Sequence, residues 1–228
     1  MYGRGTAAVA EQLKWSKERA QEVIDMFFDR FPAIKQVVDY YQNMARQLGY
    51  VQTVYGRKRR LPEINLPEFG LTYEETGEPV EPEVASYYIQ KLSKAWGSKK
   101  NGIKKDLKNK GIKVADNGGK IADAERQCLN SVIQGTGADI TKKAMVALGR
   151  HERFREIGAR MVLTVHDEII AKVPEENALE AAQIMSETMI ASCADEIVVR
   201  MKCDAEIVRV WSGDDITDEL KEKYGQAS

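Results

Sequence analysis

Three polar residues stand between two apolar runs in the stretch VLTVHDEII, residues 162–170. A carboxylate pair inside a buried run is costly to desolvate unless its charge meets a cation, a metal or a reacting group. Metal-dependent phosphoryl transfer needs rigid strands that aim carboxylates at one point, as Asp167 and Glu168 would be aimed. The alternative is an exposed hairpin turn whose acids face water, and this stretch alone does not decide between the two.

The bulk composition is that of an ordinary globular protein. Its 228 residues, 43% hydrophobic and 30% charged, suffice for one large domain or two small ones. No run of about 18 apolar residues is present and the N-terminus lacks a signal-peptide layout, so we expect neither a membrane span nor export. Cys128, Cys193 and Cys203 form no Cys-x-x-Cys pair, and only two histidines accompany them. We therefore expect reduced thiols, no structural zinc site and a cytoplasmic protein.

The net charge of −1 conceals separated basic and acidic regions. Residues 57–60 read RKRR, and nine lysines but only one acid, Asp106, lie between Lys91 and Lys113. The tail from Asp204 onward is mostly acidic. Such a chain can still present a positive face to phosphates, although a lysine-rich stretch is often only a solvated surface.

The hydrophobic periodicity predicts an α+β fold with helices packed on an antiparallel sheet. Pro32 suits the first turn of a helix that Gly49 would end, and Asp123 is a candidate cap for the longest helix. The expected helices are 17–30, 32–48, 83–96, 122–149 and 178–194. The expected strands are a short hairpin turning at Tyr55-Gly56, a hairpin over 161–173, and two strands within 197–211.

Three further motifs accompany the His-Asp-Glu stretch along the chain. They are MYGRGT at residues 1–6, GYVQTVYGR at 49–57 and ERQCLNSVIQGT at 125–136. In this order and at these spacings they resemble the C-terminal third of a family A DNA polymerase, the bacterial DNA polymerase I family. The resemblance covers most of residues 1–62 and 122–213. The motifs are most similar to those of phage-like members, which would place the protein in the host cytoplasm.

The resemblance implies three parts. Residues 1–62 would form fingers helices and a hairpin, residues 63–121 a basic insertion or connection, and residues 122–228 a palm portion. The 63–121 segment is longer than its equivalent in the bacterial enzymes. Four prolines argue for an irregular connection over 62–82, and glycines are scattered among the lysines of 97–119. A mobile insertion that touches the duplex backbone and a tolerated surface loop both remain open.

Arg126, Asn130 and Gln134 follow each other at i, i+4 and i+8, so they share one side of the predicted long helix. The plain interpretation is a solvated helix face. Gly135 and Gly137 favour the alternative, because glycines let a ligand approach closely at a cost of about 1 kcal/mol each. By resemblance the three side chains contact primer–template DNA, where they could check minor-groove acceptors shared by all correct base pairs.

The resemblance makes Asp167 the metal-binding, catalytic carboxylate of the palm. Two-metal transfer holds two cations, here Mg²⁺, roughly 3.5–4 Å apart, and one carboxylate cannot hold both. Glu168 is the neighbouring catalytic candidate, but adjacent strand residues point to opposite faces. In the family the second aspartate comes from an upstream strand that this sequence lacks. Asp204 and Glu206 are conceivable substitutes, although ordinary exposed acids are the simpler interpretation.

Four more residues receive roles from the resemblance and the charge pattern. His166 would lie beside the primer terminus, although a lone histidine on a strand is often only structural. Arg57 and Arg60 are the predicted DNA contacts of the basic cluster. Tyr2, in the remnant of the fingers motif, would lie near the template base and the incoming dNTP.

The chain departs from the family at its start. Tyr2-Gly3 matches only the last two residues of the fingers-helix motif, and the upstream residues that grip the nucleotide have no equivalent. We therefore expect part of an active site, from a split polymerase that works with a complementary N-terminal polypeptide. The alternative is a fragment that binds primer–template DNA without catalysis. A third hypothesis, an unrelated metal-dependent nuclease using Asp167 and Glu168, lacks a supporting histidine or carboxylate cluster.

Overall fold

A computed structural model describes residues 6–211 and 213–225. The chain divides into two compact units, one up to Ile133 and one from Gln134 onward. The helices are α1 (Thr6–Leu13), α2 (Lys17–Arg30), α3 (Pro32–Leu48), α4 (Pro82–Lys94), α5 (Ser98–Asn109), α6 (Gly118–Arg150), α7 (Glu152–Glu156), α8 (Ala178–Ala191) and α9 (Thr217–Tyr224). The strands are β1 (Tyr50–Gln52), β2 (Lys58–Arg60), β3 (Phe69–Tyr73), β4 (Ile112–Asp116), β5 (Arg160–Val165) and β6 (Glu168–Lys172).

Local sequence signals set the helices at the start of the first unit. The Ser16 hydroxyl accepts a hydrogen bond from the Arg19 amide at 3.2 Å and caps α2. Pro32 occupies the first turn of α3, and Gly49 ends that helix at φ 74°, a conformation that glycine adopts without strain. Gly56, at φ 81°, turns the chain between β1 and β2. The predicted helices and hairpin of this region are confirmed.

The first of two hydrophobic cores in this unit joins the β1–β2 hairpin to α3 and α6. Cys128 of α6 is fully buried in it, and burial raises the pKa of its thiol to about 11. Such a thiol stays protonated at neutral pH and is a poor nucleophile. The other buried members of this core are Ala45, Val51, Leu61, Ile64, Ala124 and Val132.

The irregular connection expected over 62–82 is wrong for strand β3, and the helix expected over 83–96 is confirmed by α4. Residues 69–116 fold into a small βααβ unit. Strand β3 pairs antiparallel with β4, from Phe69 opposite Asp116 to Tyr73 opposite Ile112, and α4 and α5 lie between them in sequence. The apolar side chains of all four elements enclose a separate core: Phe69, Leu71, Val80, Leu92, Leu107 and Ile112. We call residues 69–116 the insertion subdomain.

The long helix begins earlier than its sequence predicted. It starts at Gly118, so Asp123 lies inside α6 and does not cap it. The Asp123 carboxylate instead accepts a hydrogen bond from Arg126, one turn further along. The sequence did not predict this start because glycine, present at 118 and 119, is a poor helix former. Tertiary contacts can override such a local preference.

The second unit places a helix pair and a hairpin around one core. Strands β5 and β6 pair from Arg160 opposite Lys172 to Val165 opposite Glu168, with a bulge between Met161 and Leu163. One face of the hairpin joins the core, whose buried members are Ala144, Leu148, Phe154, Ile157, Ala159, Ile169, Ala181 and Ile184. The predicted hairpin and the helix over α8 are confirmed, while α7 was not predicted.

The two strands expected within 197–211 are wrong. Within the described residues, this segment holds only an isolated bridge between Val208 and Asp215. Val198 and Val199 are exposed. High β propensity alone does not make this segment a strand, because a strand also needs a partner strand to pair with. Among the described helices, none has the length and apolar character needed to cross a bilayer.

Candidate nucleic-acid and metal site

One side of α6 carries the predicted DNA-contacting residues. Because α6 is continuous from Gly118 to Arg150, Arg126, Asn130 and Gln134 do follow one side of a single helix. Arg126 and Gln134 are exposed, and Asn130 is half-buried. Arg126 is held towards Asp123 by their ion pair. The helix therefore offers three donors in a row over two turns.

Asn130 has a feature that a solvated helix face does not require. Its Oδ1 is buried and lacks a hydrogen-bond partner within the part of the chain that the structure describes. Buried polar atoms in proteins are rarely left unsatisfied, and each exception calls for a water or a ligand donor. Because this oxygen is an acceptor, a water or a donor from a ligand would satisfy it.

The glycine motif after Gln134 lies within α6 and does not interrupt it. Gly137 is exposed, and a Cβ placed on it would meet nothing within 4 Å. Packing within the described chain thus gives no reason for this costly residue. The hydroxyl of Thr141 donates to the Gly137 carbonyl at 3.2 Å, which satisfies that buried threonine.

The His-Asp-Glu stretch forms the tip of the β5–β6 hairpin. His166 and Asp167 are the two turn residues between Val165 and Glu168, and His166 adopts a left-handed φ of 54°. Non-glycine residues seldom adopt this conformation, which recurs at functional turns and in tight hairpins alike. All three polar side chains are exposed.

The expectation of a carboxylate pair inside a buried run is wrong for this chain. Val162 is 60% exposed and Leu163 43% exposed, whereas Ile169 is buried in the core. A two-stranded hairpin has only one covered face here, so the apolar residues of the other face remain open. The exposed-turn alternative therefore describes the hairpin as this chain folds it.

The acidic residues that could bind a metal ion lie apart in the described part of the chain. Among residues 6–211 and 213–225, no three histidine, cysteine, aspartate or glutamate side chains come together to hold a metal ion. Asp204 pairs with Lys202 at 2.6 Å, and Glu206 is exposed. Mg²⁺ is commonly bound by one or two carboxylates together with water and substrate phosphates. Asp167 is suited to be one of those carboxylates. Glu168 is the less suitable candidate beside it.

The basic cluster lies on and before β2. Lys58 Nζ stands 4.5 Å from the centre of the Tyr50 ring, and Arg59 donates to Gln127 of α6 at 3.4 Å. The predicted DNA contacts Arg57 and Arg60 are both exposed. Tyr2, predicted near the nucleotide, lies outside the described residues.

Sequence reasoning missed an ion pair that positions the start of α6. Arg46 of α3 binds Glu125 at 2.6 Å, and Gln42 donates to the Glu125 carbonyl at 3.4 Å. Both contacts lie directly beside Arg126 in sequence. Their 79- and 83-residue separations leave no local pattern that could have revealed them.

A family comparison matches nearly the whole sequence. Residues 1–78 and 81–213 match the model of DNA polymerase family A. The chain belongs to this family, and the resemblance proposed from its motifs is confirmed. The α+β fold with small antiparallel sheets is also confirmed.

Relatives in the curated set are bacterial DNA polymerase I proteins. The chain is 28% identical over 211 residues to that of Chloroflexus aurantiacus, covering 92% of this chain and 17% of the relative. It is 29% identical over 211 residues to that of Geobacillus stearothermophilus, covering 92% and 18%. The thermostable protein of Thermus aquaticus is 28% identical over 189 residues, covering 83% and 17%. The chain thus spans less than a fifth of their length.

A solved structure shares the fold. The polymerase domain of Pol1 from M. smegmatis, in complex with DNA primer-template and dNTP, matches with a TM-score of 0.59 and 27% sequence identity. The match covers 84% of this chain and 25% of that chain.

Proposed function

We propose that this chain supplies part of the active site of a template-directed DNA polymerase, which transfers nucleotides from dNTPs to a primer 3′ end. The observation that carries the proposal is the family match over residues 1–78 and 81–213, which includes the α6 motif and the His-Asp-Glu turn. A structural relative was solved with primer-template and dNTP bound, which supports these as the ligands.

The α6 side chains would hold the primer–template. Donors from Arg126, Asn130 and Gln134 match the minor-groove acceptors, which every correct base pair presents in similar positions. The open space at Gly137 supports a ligand along this side. His166 would contact the primer terminus, Arg57 and Arg60 the DNA backbone, and Tyr2 the nucleotide vicinity.

Asp167 would be the metal-binding carboxylate, with Glu168 in a lesser role. Bound Mg²⁺ would supply charge stabilisation for the attacking and leaving oxygens. The described residues bring no three metal-ligating side chains together. The second metal-binding carboxylate of the site would therefore come from another polypeptide. The two-residue turn positions Asp167 at the exposed tip of a hairpin, where another polypeptide and a substrate could both reach it.

The open hairpin face supports a complementary polypeptide. Val162 and Leu163 leave apolar surface on β5, and each strand of this two-stranded sheet has an unpaired edge. Open edges and apolar patches are liabilities that proteins usually cover. An upstream palm polypeptide would cover this face and bring the missing carboxylate.

The test is single-nucleotide primer extension by the chain mixed with a polypeptide that supplies the upstream palm, thumb and fingers. Asp167→Ala should reduce the rate at least about 10²-fold, as loss of a key electrostatic group does, with nearly unchanged primer–template affinity. Glu168→Gln, the matched neighbour, should cost much less. Extension by Asp167→Ala above a few per cent of the parent rate would remove Asp167 from this role.

A non-catalytic fragment that binds primer–template DNA is the second candidate. The incomplete metal-ligand set among the described residues favours it. It predicts DNA binding by the mixture without nucleotide addition, so the same assay separates the two.

A further inference from the structure

The positive charge of the insertion subdomain is concentrated between Lys91 and Lys113, whereas five glutamates lie earlier in the subdomain, between residues 74 and 83. Asp116 binds Lys104 at 3.0 Å and Lys100 at 3.7 Å, and Asp106 binds Lys110 at 3.1 Å. Within the described part of the chain, the other lysines between 91 and 113 have no ion pair. These six are Lys91, Lys94, Lys99, Lys105, Lys108 and Lys113.

A large aromatic side chain stands at one end of this basic surface. Trp96 lies between α4 and α5 and is 86% exposed. Gly97 follows it with φ 53° and ψ −126°, so the chain reverses directly after the indole. Within the described chain, Trp96 takes part in no hydrogen bond and no ring contact. Exposing so large an apolar group without a partner is unusual for a residue that serves only the fold.

Exposed lysine side chains follow Trp96 along α5. Leu107 is fully buried and fixes the face of α5 that meets the core. Asn101, Lys105 and Lys108 follow i, i+4 and i+7 on the other side, and all three are exposed. Lys99, nine residues before Lys108, points to the opposite side of the helix and is not part of this row. At 1.5 Å per residue, the row from Asn101 to Lys108 extends roughly 10 Å along the axis.

We propose that the insertion subdomain binds single-stranded nucleic acid, with a base stacked on Trp96 and the phosphates along Lys105 and Lys108. Single-strand binding surfaces combine a positively charged track with an aromatic platform, because unpaired bases expose their faces for stacking. A duplex hides those faces, so an exposed indole beside the lysines favours a single strand. The site is additional to the proposed polymerase function and does not depend on it.

The experiment measures binding of fluorescein-labelled oligothymidylate to the full chain by fluorescence anisotropy at low salt. Trp96→Ala should weaken binding at least fivefold, since stacking contributes about 1–3 kcal/mol per base, and Trp96→Phe should restore part of the affinity. Trp211→Ala is the matched control, because Trp211 is also exposed, at 66%, but lies outside the subdomain. Its affinity should stay within twofold of the parent.

The lysines have their own readout in the salt dependence of binding. Replacing Lys105 and Lys108 together by alanine should lower the slope of log affinity against log salt by about 1.4, at roughly 0.7 for each phosphate contact on a single strand. Circular dichroism should show unchanged folding, since the replaced side chains are exposed.

Three results would overturn the proposal. The first is unchanged affinity in folded Trp96→Ala, and the second is an equal loss in Trp211→Ala. The third is an equal loss of duplex affinity in Trp96→Ala, or competition by polyglutamate as strong as that by unlabelled oligothymidylate, either of which would mark a general polyanion surface. None of these measurements uses nucleotide addition, so the result stands apart from the polymerase test.

Discussion

At the scale of single residues, Asn130 and Gln134 distinguish a DNA-reading helix from a solvated one. The buried Asn130 oxygen without a described partner and the exposed Gln134 amide share one side of α6. A solvated face would tolerate their loss, whereas a minor-groove contact would not. Each good polar contact to a base edge contributes about 1–3 kcal/mol of discrimination when it is bidentate, and single contacts contribute less.

We predict that Asn130→Ala or Gln134→Ala lowers extension efficiency by up to about tenfold, which corresponds to about 1.4 kcal/mol, and alters the response to terminal mismatches. Primer-extension kinetics with matched and mismatched ends, in the complemented enzyme, measure both effects. Gln183→Ala on α8 is a control, because its amide bonds Glu187 at 2.8 Å and has no proposed DNA contact. Unchanged rates and unchanged mismatch discrimination in both α6 variants would show that this side of the helix is a solvated surface without DNA contacts.

At the scale of elements, α5 carries a glycine that its own packing does not explain. Gly102 is exposed within the helix, and a Cβ on it would meet nothing within 4 Å. Gly102→Ala should therefore stabilise α5 by about 1 kcal/mol. Hydrogen exchange of the α5 amides, slowed in the variant, checks this.

A second glycine of the same region is the control. Gly97 adopts φ 53°, a conformation in which an alanine is strained, so Gly97→Ala should accelerate the same exchange. If Gly102→Ala also accelerates exchange, α5 is not the continuous helix described for residues 98–109.

The end of the second unit is held by an ion-pair group around Glu175. Its carboxylate accepts from Lys223 at 2.7 Å and Arg209 at 2.6 Å, and these hydrogen bonds lower its pKa to about 2. A carboxyl whose pKa falls on folding stabilises the folded state above its unfolded pKa, near 4.3, and loses that contribution as the pH falls through the folded value.

Glu175→Gln should therefore lower the thermal midpoint at neutral pH, and its difference from the parent should shrink between about pH 4.3 and pH 2. Thermal unfolding followed by circular dichroism across that range is the measurement. Glu176→Gln, an exposed neighbour, should leave the midpoint nearly unchanged throughout. A constant difference between Glu175→Gln and the parent at every pH would show that the ion pairs do not act through this carboxyl.

At the scale of the whole molecule, local signals were readable and long-range pairing was not. Ser16, Pro32 and Gly49 marked helix ends through their own side chains and backbone preferences. The pairing of Phe69 with Asp116 joins residues 47 positions apart, so no local pattern reveals it. The same limit explains the strands wrongly expected near Val198, which need a partner that local sequence does not supply.

The candidate site divides along the same line. Its residues were chosen from the resemblance to family A polymerases, because helical spacing alone favours a solvated face for Arg126, Asn130 and Gln134, and the sequence around Asp167 alone allows an exposed turn. The burial of the hairpin could not be predicted from the sequence, because the exposure of Val162 and Leu163 depends on what covers the second face of the hairpin. Predicted burial of an apolar run is therefore a statement about neighbours as much as about the run.

The most direct measurement is primer extension by the purified chain, first alone and then with increasing amounts of the polypeptide that supplies the upstream palm, thumb and fingers. We predict weak DNA binding and no detectable nucleotide addition by the chain alone, because its described residues bring no three metal ligands together. Extension that depends on Mg²⁺ should then rise and saturate with the added polypeptide. Robust extension by the chain alone, or none from a folded and associated mixture, would contradict the proposed polymerase function.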